Sequence, residues 1–212
     1  MTRRSREMPP GATTEHDTLV AALGGLIGLA VGIGIGRFAY TPILPAMVAE
    51  LGLSKLSAGL IASANFAGYL AGALLAAGPG LAGTRRFWLL AGLGGSAAST
   101  AAMGFVQTMS AFIVLRFLGG AASALVFVFT NALVLDFTAN RGRPGFNALL
   151  FAGVGVGIAA SAVLVSLLSA AGQGWSALWL ADLKRSSSRS KAATWASHQW
   201  ASSTGCAGCR CV

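Results

Sequence analysis

Charged side chains are scarce in this 212-residue chain, and acidic ones are scarcer than basic ones. Charged residues make up 10% of the sequence, whereas soluble domains average about 25%. From Leu51 to Leu135 there is no Asp, Glu or His. The composition therefore argues against a soluble domain. The chain also carries no nucleophile–base pair and no phosphate-binding loop, so we predict that it is not an enzyme.

Cysteine is absent from the long apolar stretches and is confined to Cys206, Cys209 and Cys211, close to the C-terminus. A C-x-x-C pattern is typical of zinc ligands or of a redox pair. A zinc site needs four ligands at suitable spacing, and the histidine nearby is His198. We therefore predict no metal site and no cofactor.

Long uncharged runs dominate what is present, and 55% of the residues are hydrophobic. The first run is Leu19 to Pro45, LVAALGGLIGLAVGIGIGRFAYTPILP, in which residues 19–36 carry no charge. About 20 apolar residues cross the hydrocarbon core of a bilayer, so the run predicts a spanning helix. Its glycines form a bare stripe that lets another helix backbone approach closely. They are Gly24, Gly28, Gly32 and Gly36.

Pro42 and Pro45 leave the end of this first helix open. A spanning helix tolerates proline where neighbouring helices or water compensate for the lost hydrogen bond. The helix either continues, kinked, to about Val48 or ends near Thr41. In the shorter helix Arg37 reaches the outer interface by snorkelling, and in the longer one it lies deeper and faces a cavity.

Four further apolar runs follow, separated by short polar connections, and the start of a sixth is visible at 175–180. The four runs are 57–77, 87–106, 111–135 and 144–171. The sequence therefore predicts an all-α membrane protein with five complete transmembrane helices and a stub of a sixth. Glycines of the second and fifth runs are again spaced for close helix contact. They are Gly68, Gly72, Gly153 and Gly157.

Basic residues of the connections predict the orientation in the membrane. Alternate connections place seven basic residues on one side and Lys55 on the other. The seven are Arg3, Arg4, Arg6, Arg85, Arg86, Arg141 and Arg143. Positive charge collects on the cytoplasmic side, so we expect a cytoplasmic N-terminus in a bacterial inner membrane. The net charge of +9 follows this topology pattern and does not indicate a nucleic-acid partner.

Three regions are predicted along the chain: a cytoplasmic segment at 1–17, a transmembrane bundle at 18–182 and a disordered tail at 183–212. The tail is rich in Ser, Ala, Arg and Trp and has no helical or strand periodicity. One interpretation is that native membrane sequence ends near Leu183 and that the remainder is unrelated, as after a shifted reading frame. The other is a basic tail that contacts anionic lipid.

Polar residues inside the apolar runs are the candidate site. An ionisable group in a membrane is a functional hypothesis by default, and Arg37 and Arg116 are such groups. Without a carboxylate nearby they need an anion: a solute carboxylate, a lipid phosphate or an acid on another protein. The alternative is that both snorkel. Asn65 and Tyr69 share one helical face. Together with Thr130 and Asn131 they either line a cavity or hydrogen-bond between helices.

At these residues the sequence resembles a known family. GIGRFAYTPILPAMVAELGLS followed by AGLIASANFAGYLAGALLAA resembles the YbfB/YjiJ-type branch of the major facilitator superfamily. RFLGGAASALVFV and FAGVGVGIAASAVLV are similar to later parts of the same branch. The resemblance covers about residues 18–181. It implies a secondary transporter of about twelve spans, built from two halves with solute bound between them. The chain would be the N-terminal half, truncated at its C-terminus.

Family motifs match unevenly. Arg116 with Gly119 and Gly120 resembles the span-four motif of proton-coupled facilitators. The loop that resembles the family's connection between spans two and three keeps Arg85 and Arg86, but lacks its usual acidic residue. The Gly153-x-Gly155-x-Gly157 series resembles span five but lacks the proline of the drug-antiporter motif, so the resemblance gives no support to drug export.

The resemblance and the embedded arginines together predict transport of a small organic solute, more plausibly an anion, by alternating access. Arg37 is expected to be the leading solute contact, with Arg116 as helper or coupling residue. Two alternatives remain: an inactive truncated membrane fragment, and an interaction subunit that pairs through its glycine faces without transport. The expected partners are the lipid bilayer, a small-molecule solute and either a second transmembrane half or another copy of the chain.

Overall fold

A computed structural model describes residues 12–78, 83–139 and 147–181. Within these ranges every regular element is a helix, and no strand occurs among them. The predicted cytoplasmic segment up to residue 11, the loop arginines Arg141 and Arg143, and the cysteine-containing tail lie outside the described residues. The all-helical fold class is thereby confirmed.

Six α-helices and one π-helix make up the described part of the chain, followed by a short helical segment at 175–181. The elements are α1 (Ala12–Leu29), the π-helix (Ala30–Ile35), α2 (Tyr40–Leu51), α3 (Lys55–Ala77), α4 (Arg85–Met103), α5 (Met109–Ala139) and α6 (Asn147–Ala170).

Among the described residues, four stretches of helix are long and apolar enough to cross a bilayer, which makes the chain a multi-pass membrane protein. They are Ala22–Leu51, Lys55–Ala77, Met109–Asp136 and Leu150–Ala170. α4 is not among them, so the predicted count of five spans is not confirmed. The reason is composition: α4 opens on Arg85 and Arg86 and then consists largely of Gly, Ala, Ser and Thr.

The first span is the longer of the two alternatives left by the sequence. α1, the π-helix and α2 form one continuous apolar stretch of 30 residues that ends at Leu51. Pro45 lies inside α2 without ending it. Arg37 follows the π-helix and lies midway along the span. It is therefore too deep to count as a residue of the helix end.

α5 lies at the centre of the bundle and packs along both α3 and α4. The contact with α3 is made by backbone. A Cβ atom placed on Gly68 or Gly72 of α3 would collide with the main chain of α5, and one on Gly120 of α5 would collide with α3. At Gly72 the atom would lie 2.6 Å from the carbonyl oxygen of Ala121. These positions accept only glycine at the present helix separation.

α6 packs on α1 and the π-helix in the same way. A Cβ atom on Gly153 would collide with the main chain of α1, and one on Gly157 with that of the π-helix. On the facing side, a Cβ atom on Gly34 would lie 2.5 Å from the Cα atom of Gly157. Two glycines therefore meet at the closest point between these helices.

The glycines predicted to form one stripe in the first span face different neighbours. Gly28 and Gly32 face α5, Gly36 faces α4, and Gly24 is half-exposed in α1. A spacing of four residues gives a stripe that winds in one constant direction only while the helix remains α-helical. The π-helix between Gly28 and Gly36 has more residues per turn, so it redirects the later glycines.

Each end of the bundle is marked by a polar contact. At one end Arg85, in the first turn of α4, forms an ion pair with Asp136 near the end of α5. At the other end the backbone N–H of Trp175 donates to Glu50, 3.0 Å away. An apolar cluster that includes Phe112 and Trp179 is packed at this second end.

Candidate functional site

The candidate site begins at an irregularity in the first span. The N–H of Gly36 donates to the carbonyl of Val31 at 2.9 Å, five residues back. The N–H of Thr41 donates to Phe38 at 3.1 Å, only three residues back. In an α-helix the N–H of Thr41 would donate to the carbonyl of Arg37. The change of pattern therefore leaves that carbonyl oxygen without its helical donor.

Arg116 of α5 supplies the missing donor. Its Nη2 atom donates to the carbonyl oxygen of Arg37 at 2.9 Å. Its Cζ atom lies 5.0 Å from the centre of the Tyr40 ring, and the side chain is only 5% exposed. Tyr40 in turn donates its hydroxyl to the carbonyl of Ala58 in α3, at 2.9 Å. Arg116 is thus engaged with the backbone of the first span and is not held out towards an open space.

Asn65 of α3 completes this connection. Its Nδ2 atom donates to the carbonyl oxygen of Arg116 at 3.0 Å, and the side chain is buried. Of the two roles left open by the sequence, the contact is a hydrogen bond between helices. The first span, α3 and α5 are therefore joined by polar contacts around one point, Arg116.

The side chain of Arg37 takes a different direction and lies among aromatic rings. Its Cζ atom is 4.0 Å from the ring centre of Tyr69, 4.8 Å from that of Phe66 and 5.8 Å from that of Phe38. Each such contact contributes about 0.5–2 kcal/mol. Rings cover the faces of a planar guanidinium and leave its N–H edge, which is the part that pairs with a carboxylate. The Nε atom of Arg37 is buried without a hydrogen-bond partner among the described residues.

No acid neutralises this pair of arginines within the part of the chain whose side chains are described. The acids described there are Glu50 and Asp136. Glu50 accepts from the Trp175 backbone at one end of the bundle, and Asp136 pairs with Arg85 at the other. Two positive charges, on the buried Arg116 and the half-buried Arg37, therefore lie midway along the bundle without a counter-ion from those residues.

The structure brings together the four residues predicted as a solute site: Arg37, Arg116, Asn65 and Tyr69. The two further candidates lie elsewhere along α5. Asn131 donates to the carbonyl of Phe127 in its own helix at 2.8 Å. Thr130 is buried and its hydroxyl has no partner among the described residues.

Sequence reasoning missed the aromatic residues of the site other than Tyr69. Phe66 precedes Tyr69 by three residues and Tyr40 follows Arg37 by three, which is the spacing of neighbours on one helical face. That spacing was a usable signal for Phe66. For Tyr40 it was misleading, because the helix is irregular there and the ring lies against Arg116.

Several apolar helices that cross a bilayer, packed through glycine and enclosing two arginines, define a multi-pass helical membrane protein. Residues 29–189 match the model of the family described as the uncharacterised MFS-type transporter YbfB. The chain therefore belongs to that family, and its general function is membrane transport. The match includes every residue of the arginine site. No curated protein and no solved structure matches the chain.

Proposed function

We propose that the chain binds a small organic anion within the membrane and takes part in its transport by alternating access, without changing it chemically. The observation that carries this proposal is the unneutralised pair Arg37 and Arg116. An arginine away from the membrane surface costs about 2.5–3.5 kcal/mol on insertion scales. A bound anion would offset part of that cost.

Within this proposal the two arginines have different roles. Arg37 is the solute contact, because its side chain is half-buried beside the exposed Phe66 ring and its Nε atom has no hydrogen-bond partner among the described residues. Arg116 acts behind it by holding the Arg37 carbonyl. Asn65 positions Arg116, and Tyr69 supports the Arg37 guanidinium. The coupling role considered for Arg116 would need a carboxylate or histidine partner, and the sequence has none from Leu51 to Leu135.

A second transmembrane surface is part of the proposal. α3 and α6 expose large apolar side chains along much of their length, among them Leu70, Leu74, Phe151 and Leu167. Such faces require lipid or another helix bundle. We propose that a second bundle, from another half or another copy, faces Phe66 and encloses the solute, while lipid covers the outer faces.

The proposed orientation places the N-terminus and the Arg85–Asp136 end in the cytoplasm of a bacterial cell. It is supported by the excess of Lys and Arg in the connections on that side. The Glu50–Trp175 contact then lies at the outer face.

Uptake of organic anions into proteoliposomes containing the chain tests the proposal. We expect saturable uptake that falls at least about tenfold in Arg37→Lys, because lysine cannot reproduce the bidentate fork of arginine. Arg86→Lys, a change of the same chemistry at the start of α4, is the matched control and should leave uptake unchanged. Equal uptake by Arg37→Lys and the unmodified chain would refute the role of Arg37. Transport of neutral or cationic solutes and of no anion would refute the proposal that the solute is an anion.

A further inference from the structure

The contacts of the Arg37 and Arg116 guanidinium groups indicate how much positive charge a bound solute can reach. Arg116 is 5% exposed, donates to the Arg37 carbonyl and lies against the Tyr40 ring. Among the residues that the structure describes, the Arg37 guanidinium contacts three aromatic rings and forms no ion pair. One guanidinium edge matches one carboxylate group. Arg116 carries a second positive charge, but its side chain is only 5% exposed and is engaged with the Arg37 carbonyl, so the second carboxylate of a dianion could not reach it.

The surroundings of that edge are aromatic. Phe66 contacts the guanidinium, yet 60% of its surface is exposed, so one side of the ring remains open beside the charge. Phe38 and Tyr69 lie on the same guanidinium and are half-buried. Asn65 directly precedes Phe66, but its side-chain amide already donates to the Arg116 carbonyl. A solute anchored at Arg37 would therefore place its remaining atoms against aromatic carbon.

We infer that the solute is an aromatic monocarboxylate, an inference that rests on the proposed role of Arg37 as an anion contact. The carboxylate pairs with the N–H edge of Arg37 and the ring of the solute stacks against the open side of Phe66. Stacked aromatic pairs contribute beyond the area they bury. Small hydrophilic acids and aliphatic dicarboxylates gain the contact with Arg37 but not the stacking contact with Phe66.

Calorimetric titration of the full purified chain in detergent with benzoate, acetate, succinate and benzyl alcohol tests this inference. We expect benzoate to bind at least about tenfold more tightly than acetate or succinate, and benzyl alcohol to give no saturable binding. Phe66→Leu should weaken benzoate binding about two- to tenfold and leave acetate unchanged. Phe87→Leu is the matched control, because Phe87 is 59% exposed and lies in the first turn of α4. It should have no effect.

The outcomes separate this inference from the proposed function. If succinate binds more tightly than benzoate and Arg37→Gln abolishes that binding, the inference of an aromatic monocarboxylate is wrong, and the proposal that Arg37 binds an anion stands. No binding of any carboxylate would overturn both. Equal weakening by the two phenylalanine variants, or binding of benzyl alcohol as tight as benzoate, would show adsorption to apolar surface and overturn the inference. If Phe66→Leu fails to fold, the ranking of the four compounds on the unmodified chain decides alone.

Discussion

The backbone contact between α3 and α5 can be tested with two substitutions of the same kind in one helix. Gly72→Ala places a methyl group 2.6 Å from the carbonyl oxygen of Ala121, 2.8 Å from its Cα atom and 3.0 Å from its carbonyl carbon. Gly59→Ala places the same group where no atom lies within 4 Å. Because both positions are inside α3, the two substitutions bring the same gain in helix propensity. Only Gly72→Ala adds a steric clash with α5.

The expected magnitudes follow from these distances. Ordinary contact begins at 3.4 Å, so Gly72→Ala requires the two helices to separate by about 0.8 Å. Overpacking of this kind costs about 1–3 kcal/mol, whereas replacing glycine by alanine in a helix gains about 1 kcal/mol. Gly59→Ala should therefore stabilise slightly and Gly72→Ala should destabilise. The two free energies of unfolding should differ by about 1–3 kcal/mol.

Thermal unfolding of the purified chain in detergent measures the difference. About 1 kcal/mol shifts the Tm of a chain this size by about 2–4 °C, so Gly72→Ala should unfold several degrees below Gly59→Ala. Separation of α3 from α5 also lengthens the Asn65–Arg116 hydrogen bond. Solute uptake should therefore fall in Gly72→Ala and not in Gly59→Ala. Equal Tm values for the two variants would show that the helices do not meet at Gly72.

Three further outcomes are expected. Arg116→Met should reduce anion binding as strongly as Arg37→Lys, and the double variant should be no worse than either single one, because both changes act on one contact; additive losses would contradict this. Compartment-dependent reporters fused after Gly83 and after Gln107 should report the cytoplasmic and the outer side, respectively; identical signals would refute the assignment of α4 as a span, and reversed signals would refute the orientation. Arg85→Gln removes an exposed ion pair and should lower the free energy of unfolding by less than about 1 kcal/mol, as measured by chemical denaturation.

The apolar runs were sufficient to predict the helices of the bundle, because each is long and its ends are marked by charge or glycine. Asn65 and Tyr69 could be placed on one face of α3 for the same reason, since that helix is regular. α4 was harder. Its long run of uncharged residues predicted a spanning helix, but many of these residues are small and weakly apolar, and its hydropathy is too low to qualify it as one.

The contact between Arg116 and the Arg37 carbonyl could not be predicted from residue types. Nothing in the sequence tells which carbonyl oxygen loses its helical donor, because this depends on where the hydrogen-bond pattern changes. The prolines indicated an irregularity near Pro42, but the π-helix begins earlier, at Ala30. The direction of the Arg37 side chain depends on that difference.

The π-helix also determines how the chain tolerates insertions and deletions. Its wider turn holds one more residue than an α-helical turn, and one residue corresponds to about 100° of rotation about the helix axis. Loss of a single residue between Ala30 and Gly36 would convert the wide turn into an α-helical one of nearly the same length and rotation, so the side chains before and after it would keep nearly the same directions. Loss of a residue from the regular helix between Ala22 and Leu29 would instead turn the preceding side chains by about 100° relative to those that follow. The π-helix is therefore the part of the first span in which a change of residue count disturbs the contacts of Arg37 least.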